Sequence, residues 1–181
     1  AGGAFDLTIQ PVLSAAAPDQ PLDIVEEALD LVGFENVIVD DHQIVFTKPG
    51  MAVTLDGIAK GFIVDQGLAA LQQAGYRNAL VEAGGDLAAL GQQAGKRSWR
   101  IGIRSPRAEG LLGAVEVSNR AVATSGDYMQ AYTEDFSRHH IVDPRIGLSP
   151  RQAASATVIT GSCLEADALA TAAMVLGRTL V

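Results

Sequence analysis

The chain has 181 residues, 48% of them hydrophobic and 19% charged, with a formal net charge of -8. This composition fits one packed domain spanning residues 1–181 and excludes a disordered chain, and the acidic balance excludes the Lys/Arg footprint that nucleic acid or an anionic membrane surface demands. A single cysteine, Cys163, rules out an internal disulfide, a CxxC redox pair and a thiolate zinc site.

In chain order, the spacing predicts a short helix over 3–17, opened by a cap-like Asp6 and closed by Pro18 and Pro21. A second helix is expected over 22–32, with Ile24, Ala28, Leu29 and Val32 on its buried side and Gly33 at its end. The period then changes: 36–40, 43–47 and 51–55 are short β-branched runs, divided by Asp40-Asp41 and Pro49-Gly50. Helical spacing returns over 56–75, with Ile58, Phe62, Val64, Leu68 and Leu71 buried and Gly75 as the stop. Strands are predicted at 78–82, 86–90, 98–104, 113–117 and 121–125, with two further short ones at 141–142 and 156–160. A last helix covers 162–176 and ends at Gly177. Without regular βα alternation, the order favours an α+β fold over a doubly wound parallel sheet.

Four stretches carry chemistry-bearing residues. Asp167 and Thr171 stand four apart, so a helix stacks their oxygens on one face. Their neighbours are almost all apolar, and a carboxylate there needs pairing, hydrogen bonds or a hard cation such as Mg2+. The alternative is an Asp167 that faces solvent or caps a neighbouring loop, with Thr171 bonded back to the preceding turn. Asp56-Gly57-Ile58-Ala59-Lys60-Gly61 leads from an extended run into a helix, where backbone N–H groups and Lys60 suit a pyrophosphate; the glycines also serve a tight turn. It has neither Walker A nor Rossmann spacing. Gly84-Gly85 is a hairpin turn, and Ser125-Gly126 lies at a strand end. The imidazoles are His42, His139 and His140. No serine occupies a nucleophile elbow, and Cys163 reads as core, so a Ser-His-Asp hydrolase gains little support.

Taken together, GAFDLT at 3–8, LDGIAKGF at 55–62, NALVEAGGD at 78–86, ATSGDY at 123–128, HIVDPRIG at 140–147 and EADALAT at 165–171 resemble, in order, the motifs of the ApbE family, the FAD:protein FMN transferases. The resemblance implies an α+β domain of antiparallel sheets flanked by helices, related to the T-fold. It further implies Mg2+-dependent transfer of FMN from FAD to a Thr or Ser hydroxyl of a target flavoprotein, with release of AMP. Carried over by residue, the metal ligands are the Asp167 carboxylate, the Thr171 hydroxyl and the Ala59 carbonyl. FAD contacts are Ala4, Phe5, Asp6, Asp56, Lys60, Phe62, Gly84, Gly85, Ser125, Gly126 and the backbone near Ile141; the catalytic pair is His140 and Asp167. Asp56, Phe62 and Ile146 depart from the Gly, Tyr and Thr common in the family.

The resemblance also implies a periplasmic location, or one on the periplasmic face of the inner membrane, although the chain carries no signal peptide or lipobox. Family members usually carry a longer N-terminal segment and C-terminal tail. This chain is therefore expected to be a shortened member, with membrane association only through a segment it lacks. Two other functions fit the same residues: a Mg2+-dependent FAD pyrophosphatase that gives FMN and AMP, and a non-catalytic flavin-binding module.

Overall fold

The computed structural model describes residues 2–15 and 22–177. A 3-10 turn at Leu7–Ile9 runs into α1 (Gln10–Ala15), followed by α2 (Leu22–Leu29), the hairpin strands β1 (Val37–Val39) and β2 (Ile44–Phe46), and the long helix α3 (Ala59–Gln73). Six strands follow: β3 (Ala79–Ala83), β4 (Asp86–Leu90), β5 (Trp99–Arg104), β6 (Leu111–Val117), β7 (Arg120–Gly126) and β8 (Ser155–Thr160). Helix α4 (Cys163–Leu176) comes last. The fold is α+β, and every strand pairing is antiparallel.

The central sheet has the order β3-β4-β7-β8. Helices α3 and α4 lie against one of its faces, where Val64, Ala88, Ala121 and Cys163 form a buried cluster. The β5–β6 hairpin covers the other face, through Val117 and the partly buried Trp99 and Ile101 packed against Leu87, Ala89 and Val122. Strand β4 is therefore buried on both faces. Alternation along it sends Leu87 and Ala89 to the hairpin and Ala88 to the helices. Each Leu or Val removed from water in these layers contributes about 1.5–3 kcal/mol. A separate cluster joins α1 to α2 through Ile9, Val12, Ala15, Val25, Ala28 and Val142.

The start of α4 is fixed from two directions. Ser162 Oγ accepts from the Glu165 amide at 3.2 Å, while Asp65, on α3, accepts from the Cys163 and Leu164 amides at 2.8 and 3.0 Å. Three amides that a helix N-terminus leaves unpaired are thus satisfied, each such cap contributing about 1 kcal/mol. Gly61 lets the helices meet, since a Cβ there would stand 2.6 Å from the Cys163 carbonyl carbon and 2.7 Å from Leu164 Cα.

Several elements differ from the sequence reading. The first helix begins not at Gly3 but after Asp6, which caps the 3-10 turn; Ala16, Ala17 and the Pro18–Pro21 stop lie outside the described residues. Helix α2 ends at Leu29, and it buries Val25 and Ala28 and leaves Ile24 exposed. Residues 51–55 form no strand: the Thr54 amide bonds to the Leu7 carbonyl at 2.9 Å, and among the described residues no strand pairs with this segment. Residues 141–142 form none either, because the Ile141 amide bonds to His139 Nδ1 at 3.3 Å and both side chains are drawn into the cores. Phe62 is 50% exposed, because the buried stripe of α3 runs through Gly61 and Val64 instead.

Candidate functional site

A cavity of about 680 Å³ opens where the chain's first turn, the start of α3, the β3–β4 turn, the end of β7 and the middle of α4 converge. Ala4, Phe5 and Asp6 line it from the first turn, with Gln10, Leu13 and Ser14 of α1 beside them. Asp56, Gly57, Ala59 and Lys60 enter from α3 and its approach, Gly84 from the turn, and Ser125 and Gly126 from β7. Asp167 and Thr171 come from α4, and His140 and Ile141 from the segment before β8. Of the residues expected at the site, Phe62 and Gly85 alone are missing from this wall. Phe62 sits on the outer side of α3, and the Gly85 amide donates to Glu82 Oε1 at 2.7 Å within the turn.

Asp167 is 4% exposed, so it does not face solvent. One of its oxygens accepts from the Gly61 amide in the first turn of α3, at 3.1 Å. Burial, reinforced by the nearby Asp86, pushes its carboxyl above the ordinary carboxylate range against the pull of that amide and of Lys60. The Thr171 hydroxyl does not turn back onto its own helix but lies 3.2 Å from Ser125 Oγ on β7. A Cβ on Gly57 would stand 2.8 Å from the Phe5 ring and 3.6 Å from Thr171 Oγ1, so the glycine keeps that corner open.

Among the described residues no three His, Cys, Asp or Glu side chains gather as a metal cluster. One buried carboxylate, one hydroxyl and a helix-start carbonyl on the same cavity fit only a hard cation that takes its remaining oxygens from water or a bound phosphate. A thiophilic or imidazole-seeking metal does not fit. Cys163 is buried, and its thiol is pushed up to about 12 by that burial, then by Asp86, Asp65 and Asp167, which leaves it inert.

The two adjacent histidines have different surroundings. His139 is fully buried and satisfied: Nδ1 accepts from the Ile141 amide, so Nε2 carries the proton and donates to the Pro150 carbonyl at 3.0 Å. His140 lines the cavity, and its Nδ1 is buried without a hydrogen-bond partner. Burial holds its imidazole below the ordinary value, with His139 and Lys60 acting in the same direction against the Gln130 carbonyl and Asp56.

Sequence reasoning left parts of this site unread, Gln10, Leu13 and Ser14 of α1 among them. Met129, Gln130 and Tyr132 line the cavity from an irregular stretch with no period to reveal it. Asp6 does more than face the cavity, since its carboxylate accepts from the Thr8 amide and hydroxyl and from the Phe34 amide. Asp86 anchors Lys60 from behind, at 2.5 Å. An acid placed directly after a Gly-Gly turn was the one available clue.

The sequence model of the ApbE family matches residues 1–180. The chain belongs to the ApbE family. Among curated relatives, the FAD:protein FMN transferase of Vibrio cholerae is 34% identical over 188 residues, covering 97% of this chain and 56% of that protein. The transferase of the same description from Treponema pallidum is 34% identical over 203 residues, with the same two coverages, 97% and 56%. The crystal structure of the Thermotoga maritima ApbE protein superimposes with a TM-score of 0.91 at 35% identity, covering 98% of this chain and 62% of that one. The flavin transferase ApbE from Vibrio cholerae gives 0.86 at 32% identity, covering 98% and 60%. The chain thus spans a little over half the length of the ApbE relatives it matches.

Proposed function

We propose that this chain carries a flavin-transfer site that moves FMN from FAD to a Thr or Ser hydroxyl of an acceptor flavoprotein, releasing AMP, with Mg2+ bound by Asp167, Thr171 and the Ala59 carbonyl. The observation that carries the reading is the buried Asp167 carboxylate, sharing one cavity with Thr171, Ala59 and Lys60. Its support from outside the chain is that relatives in the same family are described as FAD:protein FMN transferases. A divalent cation held there would neutralise charge on the diphosphate oxygens as phosphorus is attacked.

The chain's own residues supply the rest. The Lys60 ammonium, at the positive end of the α3 dipole, attracts the diphosphate, and Phe5 offers an apolar wall to a flat ring. His140, kept neutral by burial and with Nδ1 free of protein partners, accepts the acceptor's hydroxyl proton. As the new P–O bond forms, the bond from the FMN phosphorus to the bridging oxygen breaks, and AMP leaves with that oxygen. The test is incubation with FAD, Mg2+ and a threonine-bearing acceptor, followed by denaturation and mass spectrometry. An FMN-sized addition on the acceptor is expected. Free FMN and AMP with an unmodified acceptor would assign a pyrophosphatase instead, and flavin binding without AMP a binding module.

A further inference from the structure

We propose that Asp86 is a positioning residue: its buried carboxylate fixes the Lys60 ammonium on the cavity wall so that the remaining N–H donors face the ligand's diphosphate. This rests on the reading of the site given above and assigns the group that aims its cation. Register sets the placement. Ala83 and Asp86 are the closing pair of the β3–β4 hairpin, and Gly84 and Gly85, both at positive φ, make its two-residue turn. Asp86 therefore opens β4, next to β7, where Oδ1 accepts from the Thr124 amide at 3.3 Å and Oδ2 receives Lys60 Nζ at 2.5 Å. A carboxylate 1% exposed requires such partners.

Lys60 differs from its partner, because 47% of its side chain is exposed and it lines the cavity. An ammonium has three donors, and the pair with Asp86 uses one. Its stem passes the bare face of Gly84, where a Cβ would sit 3.9 Å from Lys60 Cδ. A free lysine loses rotamer freedom when it grips a ligand; one already anchored has lost it on folding.

The sign of the effect separates aiming from plain charge. Asp6, Asp56 and Asp167 also line the cavity. If Asp86 acted only through its charge, neutralising it would strengthen binding of an anion. If it aims Lys60, neutralising it weakens binding.

The experiment compares Asp86→Asn, Lys60→Met and the double variant in the whole chain. It measures dissociation constants for FAD with Mg2+ by flavin fluorescence, and for inorganic pyrophosphate with Mg2+ by calorimetry, beside thermal melting. Losing one oriented, charge-assisted hydrogen bond predicts about tenfold weaker binding for Asp86→Asn and for Lys60→Met, with the double variant no weaker than Lys60→Met. Equal or tighter binding by Asp86→Asn, or additive losses in the double variant, overturns the proposal. A lowered melting temperature with unchanged dissociation constants assigns a purely structural pair and also overturns it. If Asp86→Asn fails to fold, Asp86→Glu replaces it: weaker binding supports aiming, and wild-type binding refutes it. Wild-type protein that binds pyrophosphate but not FAD would sink the flavin reading while the pyrophosphate series still decides Asp86; binding of neither would sink both.

Discussion

Replacing Gly61 by alanine adds one methyl group at the point where α3 meets α4. The new carbon would lie 2.6 Å from the Cys163 carbonyl carbon and 2.7 Å from Leu164 Cα, roughly 1 Å inside ordinary contact, and every atom it meets belongs to backbone. No rotamer change relieves the clash, so the helices must separate. Overpacking of this kind costs about 3 kcal/mol, and the better helix propensity of alanine offsets about 1. The net loss of about 2 kcal/mol corresponds to a fall of roughly 4–8 °C in melting temperature for a chain of this length. Gly67 in the same helix is the control, because its added Cβ meets a Val81 methyl at 3.3 Å, a side-chain atom able to move. Circular dichroism melting of the two variants decides the matter. A Gly61→Ala protein at least as stable as wild type, or no less stable than Gly67→Ala, would refute the close backbone crossing on which the placement of Asp167 depends. Because the Gly61 amide also bonds to Asp167, the same substitution should weaken Mg2+-dependent FAD binding.

Other substitutions probe the charges. Asp167→Asn should raise the melting temperature of the metal-free protein at neutral pH, since a carboxyl whose folded pKa is raised withdraws stability as pH climbs through it; it should abolish any Mg2+-induced rise in melting temperature. His140→Gln should lower the transfer rate by about 10²–10⁴-fold while leaving FAD affinity unchanged, and the wild-type rate should stay flat above the ordinary imidazole value near 6.5 and fall in acid below it. Burial pushes the Asp143 carboxyl up, but the hydrogen bonds from Arg145 outweigh it and hold the group below its ordinary value. That pair stabilises above about pH 4 and loses its contribution as pH falls through the folded value. Melting of Arg145→Met should therefore differ from wild type more at pH 7 than at pH 3.

The regular elements were legible where local chemistry and burial agree. Ser162 and Gly177 mark the ends of α4 in sequence and in space, and Gly84-Gly85 turns between β3 and β4 as its dipeptide implies. Where side-chain type and tertiary partner disagree, the pattern misled. Residues 51–55 and 141–142 carry β-branched side chains yet form no strand among the described residues, and Phe62 is apolar but half-exposed on the outer side of α3. The candidate site was traceable through its motifs, because they carry its donors. The partnership of Lys60 with Asp86 was not, since two residues far apart in the chain meet only once sheet register is known.

The bond between Asp167 and Gly61 joins positions 106 residues apart, and Asp65 grips the start of α4 across a gap of 98. Loops of that length close late in folding, after local hairpins and single helices have formed. During synthesis the cavity therefore stays unassembled until α4 has left the ribosome, and its wall is incomplete before that helix docks.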